Sequence, residues 1–416
     1  MRMKAILSFI LCLCMLTTMR CFPAMADEVP ENGEVRLYLW VDPSPQELEA
    51  IAYAEAKYKI KVNWEVVAWD LLDSRLTTEI TSGNAPDLIN LHNQNFPRVA
   101  VNKLAMPASK LNQELYNHPL LAKNNAAVRN YYTYNGERYA VSGGLAPRWI
   151  FYNKTMFEDY GMDTPRELYD AGEWNWDTFR QSALDIMEYD EEGNVAVWGF
   201  GSWVYDLWII SNGGSLVENM SEGSVRLTLD EPKAMRGLQF MQDGYFKDKY
   251  FNPTGHKTHT TDFVSGKCAM IADGMYRASE FATMKDEWDF VPVPVGPDNT
   301  AGTLPGNCDG WAVTVGAKNP DGALMYLIGT AEYYEENPVE DSIVQGFSEA
   351  QKALYDEYVY GDATMRIESN RLEGIGNMKQ LQWNWWEQIF FGLPIATVNA
   401  IFGPVFQAEI DAMMSK

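Results

Sequence analysis

The chain has 416 residues, with 33 lysines and arginines against 57 aspartates and glutamates, a formal net charge of −24 and 46% hydrophobic residues. So strong an acidic excess repels nucleic acid and anionic lipid, and so much apolar content excludes a disordered chain. Its 14 tryptophans are more than a core needs, because an indole is awkward to bury completely.

Arg2 and Lys4 precede the apolar run Ala5 to Leu16, and Ala24-Met25-Ala26 follows. These are the three parts of a secretory signal peptide, residues 1–26, with cleavage after Ala26. A lipid anchor at Cys21 is disfavoured, since Thr18, Met19 and Arg20 stand where small neutral residues are needed. No other run approaches the roughly 18 to 20 apolar residues of a membrane span. The mature chain is therefore expected outside the cytoplasm, in a periplasm or at a cell surface. The signal removes three basic and no acidic residues, leaving 30 against 57, a net of −27. Cys12, Cys14 and Cys21 leave with it, and Cys268 and Cys308 read as two unpaired, partly buried thiols, with one bridge between them as the rival reading in an oxidising compartment. About 390 remaining residues exceed what one core supports, which argues for two domains or lobes.

In chain order, "GEVRLYLWV" alternates Val35, Leu37 and Leu39 against Arg36, Tyr38 and Trp40, the period of a strand. Gln46 to Tyr58 reads as a helix with Leu48, Ile51, Ala52 and Ala56 on its inner face, and "KIKVNWEVV" is a second strand. "WDLLDSRLTTEITSG" is a helix capped by Asp70 and stopped by Gly83, and "PDLINL" is a third strand. Strands alternating with helices imply a mainly parallel sheet, whose ligands bind beyond the carboxyl ends of the strands. Those ends carry Trp40, Asp42, Trp69, His92, Asn93 and Gln94.

Further on, Asn135-Gly136 marks a hairpin turn, and "SGGLAPRWIFYNK" a break that suits a crossing between domains. Asn175 caps a helix with Phe179, Ala183, Leu184 and Met187 inside, and Trp174 and Trp176 read as packing residues. "FVSGKCAMIADGMYR", residues 263–277, is a buried strand that ends on an aromatic and a cation. Its Gly266-Lys267 is not the end of a P-loop, because Thr261 and Cys268 stand where G-x-x-x-x-G-K-S/T needs glycine and a hydroxyl. "YDEEGNVAVWGF" places its glycine at position 4, where a calcium loop needs it at 6. His256 and His259 lack nearby acidic or cysteine partners in sequence and read as a surface loop, not a metal site. No hydrolase elbow, zinc-protease or dinucleotide motif occurs.

Four stretches, "LTTEITSGNAPDLINL", "GERYAVSGGLAPRWIFYNKTMFEDYG", "FVSGKCAMIADGMYR" and "GPDNTAGTLPGNCDGWAVTVGAKNPDGA", resemble in order the extracellular solute-binding proteins of ABC importers, in the subgroup that mostly carries sugars and oligosaccharides. The resemblance implies an α/β, two-lobed periplasmic-binding-protein fold (type II). Each lobe is then a mainly parallel sheet flanked by helices, with a ligand cleft between the lobes. It puts chain crossings near Ala146, Pro292 and Glu335, so that 27–145 plus 292–335 form lobe 1 and 146–291 plus 336–416 form lobe 2.

The same resemblance gives Tyr276 a place on the cleft wall, where a ring stacks on the apolar side of a pyranose. Arg277 has two readings, reaching an acidic sugar or pairing with Glu280. Trp40 has two as well, facing the ligand or packing on the turn at Pro43 to Pro45. Trp69 could line the cleft mouth. Asn93 and Gln94 end a strand and could bond hydroxyls, although Asn also favours turns. Arg148 and Trp149 flank the first crossing, so at least one should face the cleft. Trp203 and Asp206 follow a strand of the second lobe, with a core role for Trp203 and Trp208 as the rival reading, and Asp206 suits two sugar hydroxyls. Asn307 and Asp309 occupy the loop that returns to the first lobe. Of Trp383, Trp385 and Trp386, which cannot share one helical face, Trp386 is chosen for the cleft against a core role.

The function these residues imply is capture of a sugar, an oligosaccharide by the number of tryptophans, by lobe closure and its delivery to membrane permease subunits. The protein is expected to be a monomer, without catalysis, metal or cofactor. The alternatives are a non-sugar solute such as a polyamine or glycerol phosphodiester, a receptor-facing sensor or adhesin, and a secreted glycoside hydrolase, which needs only two carboxylates.

Overall fold

The computed structural model describes residues 30–68, 70–122, 126–141, 143–204, 206–218, 220–337, 346–361, 365–367, 372–376 and 378–416. Residues 1–26, expected to be a signal peptide, and Trp69 lie outside them.

Ten strands form one sheet: β1 (Glu34–Leu39), β2 (Lys61–Val66), β3 (Leu88–His92), β4 (Leu145–Asn153), β5 (Glu188–Tyr189), β6 (Val195–Ser202), β7 (Cys268–Gly274), β8 (Trp288–Pro292), β9 (Leu304–Val313) and β10 (Met365–Ile367). The order is β2-β1-β3-β9-β4-β7-β6-β5, with β8 also on β4 and β10 also on β9. The main helices are α1 (Pro45–Tyr58), α2 (Leu72–Thr81), α3 (Trp176–Asp185), α4 (Leu207–Ser211), α5 (Pro232–Phe246), α6 (Gly255–Val264), α7 (Pro320–Glu336), α8 (Glu349–Val359), α9 (Met378–Phe390) and α10 (Ile395–Met414).

The first half follows the expected pattern. β1 lies parallel to β2 and β3, and both of its faces are covered: Val35, Leu37 and Leu39 pack in one apolar cluster and Tyr38 in another. α1 starts on a capping box between Ser44 and Glu47, as a serine three residues before a glutamate dictates. Its inner face differs from the expected one. Ala50, Ile51 and Ala54 are buried while Leu48 is exposed, because α7 brings Gly329 so close that a Cβ there would sit 2.7 Å from that of Ala54. Asp70 is not the cap of α2. The residue before that helix is Leu71, which offers no side-chain cap.

The second half is mixed. β4 is antiparallel to both β7 and β8 and β5 to β6, whereas β6 and β7 run parallel, as do the start of β9 and β10. Alternate residues of these strands feed two cores, Ile150, Tyr152, Met270 and Ala272 on one face and Trp149, Phe151, Ile271 and Phe290 on the other. α3 begins on Asn175, whose side chain accepts from Asp177 and Thr178, and Trp174 and Trp176 are packing residues, both buried. Asn135 and Gly136 form the expected tight turn, both with positive φ. Cys268 and Cys308 are buried and form no disulfide.

Two strands join the halves. The start of β4 pairs with β9 through Ala146 opposite Asn307, and beyond it β4 enters the second half while β9 runs on to pair with β3. Residues 293–303 still belong to the second half, since Val295 receives a bond from Trp176, Gly296 gives one to Ser211, and Asn299 gives one to Ser211. The return crossing is therefore at Asn307 and not near Pro292. α7 packs on α1, whereas α8 puts Tyr355 and Tyr358 against Trp149, so the chain changes halves once more after Asn337. No helix among the described residues is long and apolar enough to cross a membrane.

Candidate functional site

The ends of β1, β3, β6 and β7 meet where β4 and β9 cross. Trp40 follows β1, His92 and Asn93 close β3, Trp203 follows β6, and Asp273 with Tyr276 closes β7. The crossing itself supplies Arg148, Asn307 and Asp309. Register fixes the neighbours, with Asp309 opposite His92, Arg148 opposite Gly274, and Trp149 opposite Asp273.

On the first-half side the Trp40 indole donates to the Asn90 carbonyl at 2.8 Å and stands edge-on to His92, 5.1 Å between centroids. Burial, with the Arg148 and Lys379 charges, pushes the His92 imidazole down to about 4. It is thus neutral near pH 7, and because Nδ1 accepts from the Gln94 N–H at 3.2 Å, the ring proton sits on Nε2. Asn93 donates from Nδ2 to Asn307 Oδ1, tying β3 to β9. Asp309 Oδ1 accepts from the Gly144 N–H at 3.1 Å, and burial pushes its carboxyl above the usual range. Glycine is required at 143, where a Cβ would meet the Asp309 carbonyl oxygen at 2.1 Å. The Gln94 Oε1 atom is buried without a hydrogen-bond partner among the described residues.

On the second-half side everything turns on Asp273. Every residue of β7 is buried, this carboxylate included, and a buried carboxylate has to collect donors. Oδ1 accepts from the Gly274 N–H at 2.7 Å and the Tyr276 hydroxyl at 2.5 Å. Oδ2 faces Trp203 Nε1 at 3.1 Å, Arg277 Nε at 3.0 Å and His259 Nε2 at 2.8 Å. Burial alone raises this carboxyl, but His259, the Arg148 charge and Tyr276 outweigh it and hold it well below the usual carboxylate range. The network sets the aromatic wall. Arg148 lies over the Trp203 ring at 5.2 Å, and Tyr276, held at its hydroxyl, leaves 47% of its surface open.

Trp40, Asn93, Gln94, Trp203 and Tyr276 thus lie at or just beyond strand ends, and Arg148, Asn307 and Asp309 within the crossing strands, all at this junction. Asp206 is buried at the head of α4. Trp149 is not a cleft residue, being fully buried against Phe290 and Tyr358. The choice of Trp386 is corrected: it has 0% exposure, packs on Trp385 at 4.6 Å and on Phe390, and belongs to the apolar core. Arg277 pairs with Glu280 at 2.5 Å as well as with Asp273. His256 and His259 are not a surface loop but part of α6, with His259 buried against Asp273. Sequence reading missed Asp273, His259 and the part of His92. The signal for Asp273 was an acid closing an apolar strand, a placement that demands donors nearby. Among the described residues no three His, Cys, Asp or Glu side chains gather to hold a metal ion.

A model of bacterial extracellular solute-binding proteins matches residues 42–327. The diacetylchitobiose binding protein DasA of Streptomyces coelicolor is 25% identical over 291 residues, 68% of this chain and 65% of that protein. The chain thus spans slightly less than two thirds of the length of the curated relatives it matches. The ABC substrate-binding protein Lmo0181 from Listeria monocytogenes, solved in complex with cycloalternan, superposes with a TM-score of 0.64 at 17% identity, covering 91% of this chain and 97% of that one. UgpB from Mycobacterium tuberculosis, in complex with glycerophosphocholine, gives 0.66 at 16% identity, covering 92% and 99%. At such identities the likeness is one of fold, and the fold is the two-lobed, type II periplasmic-binding-protein architecture. With most of its length matched by the family model, this chain belongs to the bacterial extracellular solute-binding proteins.

Proposed function

We propose that the protein is the extracytoplasmic capture component of an ABC importer, exported by its signal peptide, that closes its two lobes on a carbohydrate and presents it to membrane permease subunits. The oligosaccharide form of this reading draws on the named ligands of its relatives, diacetylchitobiose for DasA and cycloalternan for Lmo0181. The observation that carries it is the Tyr276 ring, open over almost half its surface yet fixed at its hydroxyl by a buried carboxylate. A rigid, half-open ring suits the apolar face of a pyranose, while Asp309, Asn307 and Gln94 supply hydrogen-bonding groups for the hydroxyl edges and Asn93, itself buried, holds Asn307 in place. The lobes hinge where Ala146 and Asn307 cross. Ligand favours the closed state by touching both walls there and only one in the open state. The protein works as a monomer, without catalysis or cofactor.

Native mass spectrometry of the protein with pooled plant and bacterial oligosaccharides tests this reading. A one-to-one adduct at an intact oligosaccharide mass is the expected result. Shortened products without an adduct would assign it to the hydrolases. Adducts with glycerophosphocholine alone would favour the second reading, a glycerol phosphodiester, which the likeness to UgpB brings in.

A further inference from the structure

The charges around Asp273 bear on which solutes the site accepts, given the carbohydrate reading above. Two cations stand at the second wall, and Asp273 is within ion-pair distance of both, 3.6 Å from Arg148 and 3.0 Å from Arg277. Glu280 holds the other end of Arg277 at 2.5 Å. The Arg148 and Asp273 side chains are 1% and 0% exposed, so neither charge is screened by water. Asp309 adds a further carboxyl from β9, opposite His92. Among the described residues Arg148 Nε and Nη1 have no hydrogen-bond partner, since the acceptor positions of Asp273 are taken by Gly274, Tyr276, Trp203, His259 and Arg277.

We propose that Asp273 is a specificity-determining residue that cancels the charge of Arg148, while Glu280 answers that of Arg277, so that this wall accepts the neutral oxygens of an uncharged sugar and rejects uronates and phosphate esters. A buried guanidinium standing alone would draw a carboxylate or phosphate strongly. With a carboxylate already beside it, an incoming anion gives up its water for no net charge and meets repulsion at a few ångströms. The Arg148 Nε and Nη1 atoms are themselves buried, so the pair acts on a solute through its field and not by direct contact.

Calorimetric titration of sulfate, at constant ionic strength, into the wild type, Asp273→Asn and the double variant Asp273→Asn/Arg148→Gln tests the cancellation without any sugar. Asp273→Asn should bind sulfate roughly ten-fold tighter or more, and the double variant should lose the gain. A folded Asp273→Asn protein with no gain, or a gain that survives removal of Arg148, overturns the proposal. Should Asp273→Asn not fold, the wild type decides. Sulfate binding that Arg148→Gln abolishes overturns the proposal, and no such binding upholds it. The carbohydrate reading is judged separately, by the oligosaccharide adduct on the wild type.

Discussion

Two aromatic residues show how differently a ring can serve this protein. Tyr276 is half open and Trp386 fully enclosed, so substitutions should separate binding from stability. Tyr276→Ala should weaken oligosaccharide binding by about 1–3 kcal/mol in calorimetry while leaving the unfolding midpoint almost in place. Unchanged affinity would remove Tyr276 from the site. Trp386→Ala should cost about 3–5 kcal/mol of stability in denaturant titration, with affinity retained by the folded fraction. His92 carries a pH prediction. Its folded-state value of about 4 lies below the ordinary 6.5, so between those limits the unfolded chain takes up a proton that the folded chain refuses. The stability it contributes is complete above pH 6.5 and is lost as pH falls towards 4, by up to about 3 kcal/mol. His92→Gln should flatten that part of the urea-unfolding profile, and an unaltered acid slope would assign it to another group.

Between elements, backbone approach decides what side-chain pattern does not. β6 and α3 touch so closely that a Cβ on Gly199 would lie 2.0 Å from the Ala183 carbonyl oxygen. Gly199→Ala should lower stability by about 1–3 kcal/mol or more. Gly403, on α10, has nothing within 4 Å of its would-be Cβ, and Gly403→Ala should be neutral or stabilising by about 0.5–1 kcal/mol. Thermal melts of the pair check both, and equal shifts would mean the close contact relaxes. The same approach explains what sequence missed in α1. Its helix was legible from period and cap, but its buried face is set by Gly329 of α7, 275 positions beyond Ala54 in the numbering. The parallel first sheet was legible because β-α-β spacing permits little else. The antiparallel pairing of β4 was not, since its partners β7 and β8 come from over a hundred residues downstream.

For the molecule as a whole, the crossing of β4 and β9 makes one continuous sheet out of two halves and puts the candidate site at their junction. Cys308 lies on that crossing and Cys268 on β7, both buried, and burial pushes the Cys268 thiol up. A thiol reagent should therefore react slowly with native protein lacking residues 1–26, and with two equivalents once it is denatured without reductant. No reaction under denaturant would mean a bridge. The sequence by itself determined the acidic character, the two-lobed class and most strand ends, because composition and short-range periodicity are local properties. Only the tertiary structure decided that Trp386 belongs to the core, that residues 293–303 stay with the second half, and that Asp273 gathers His259, Arg148, Trp203, Tyr276 and Arg277. A buried carboxylate chooses its donors by proximity in space, and residues 148, 203 and 259 reach it only once β4, β6 and α6 have packed around β7.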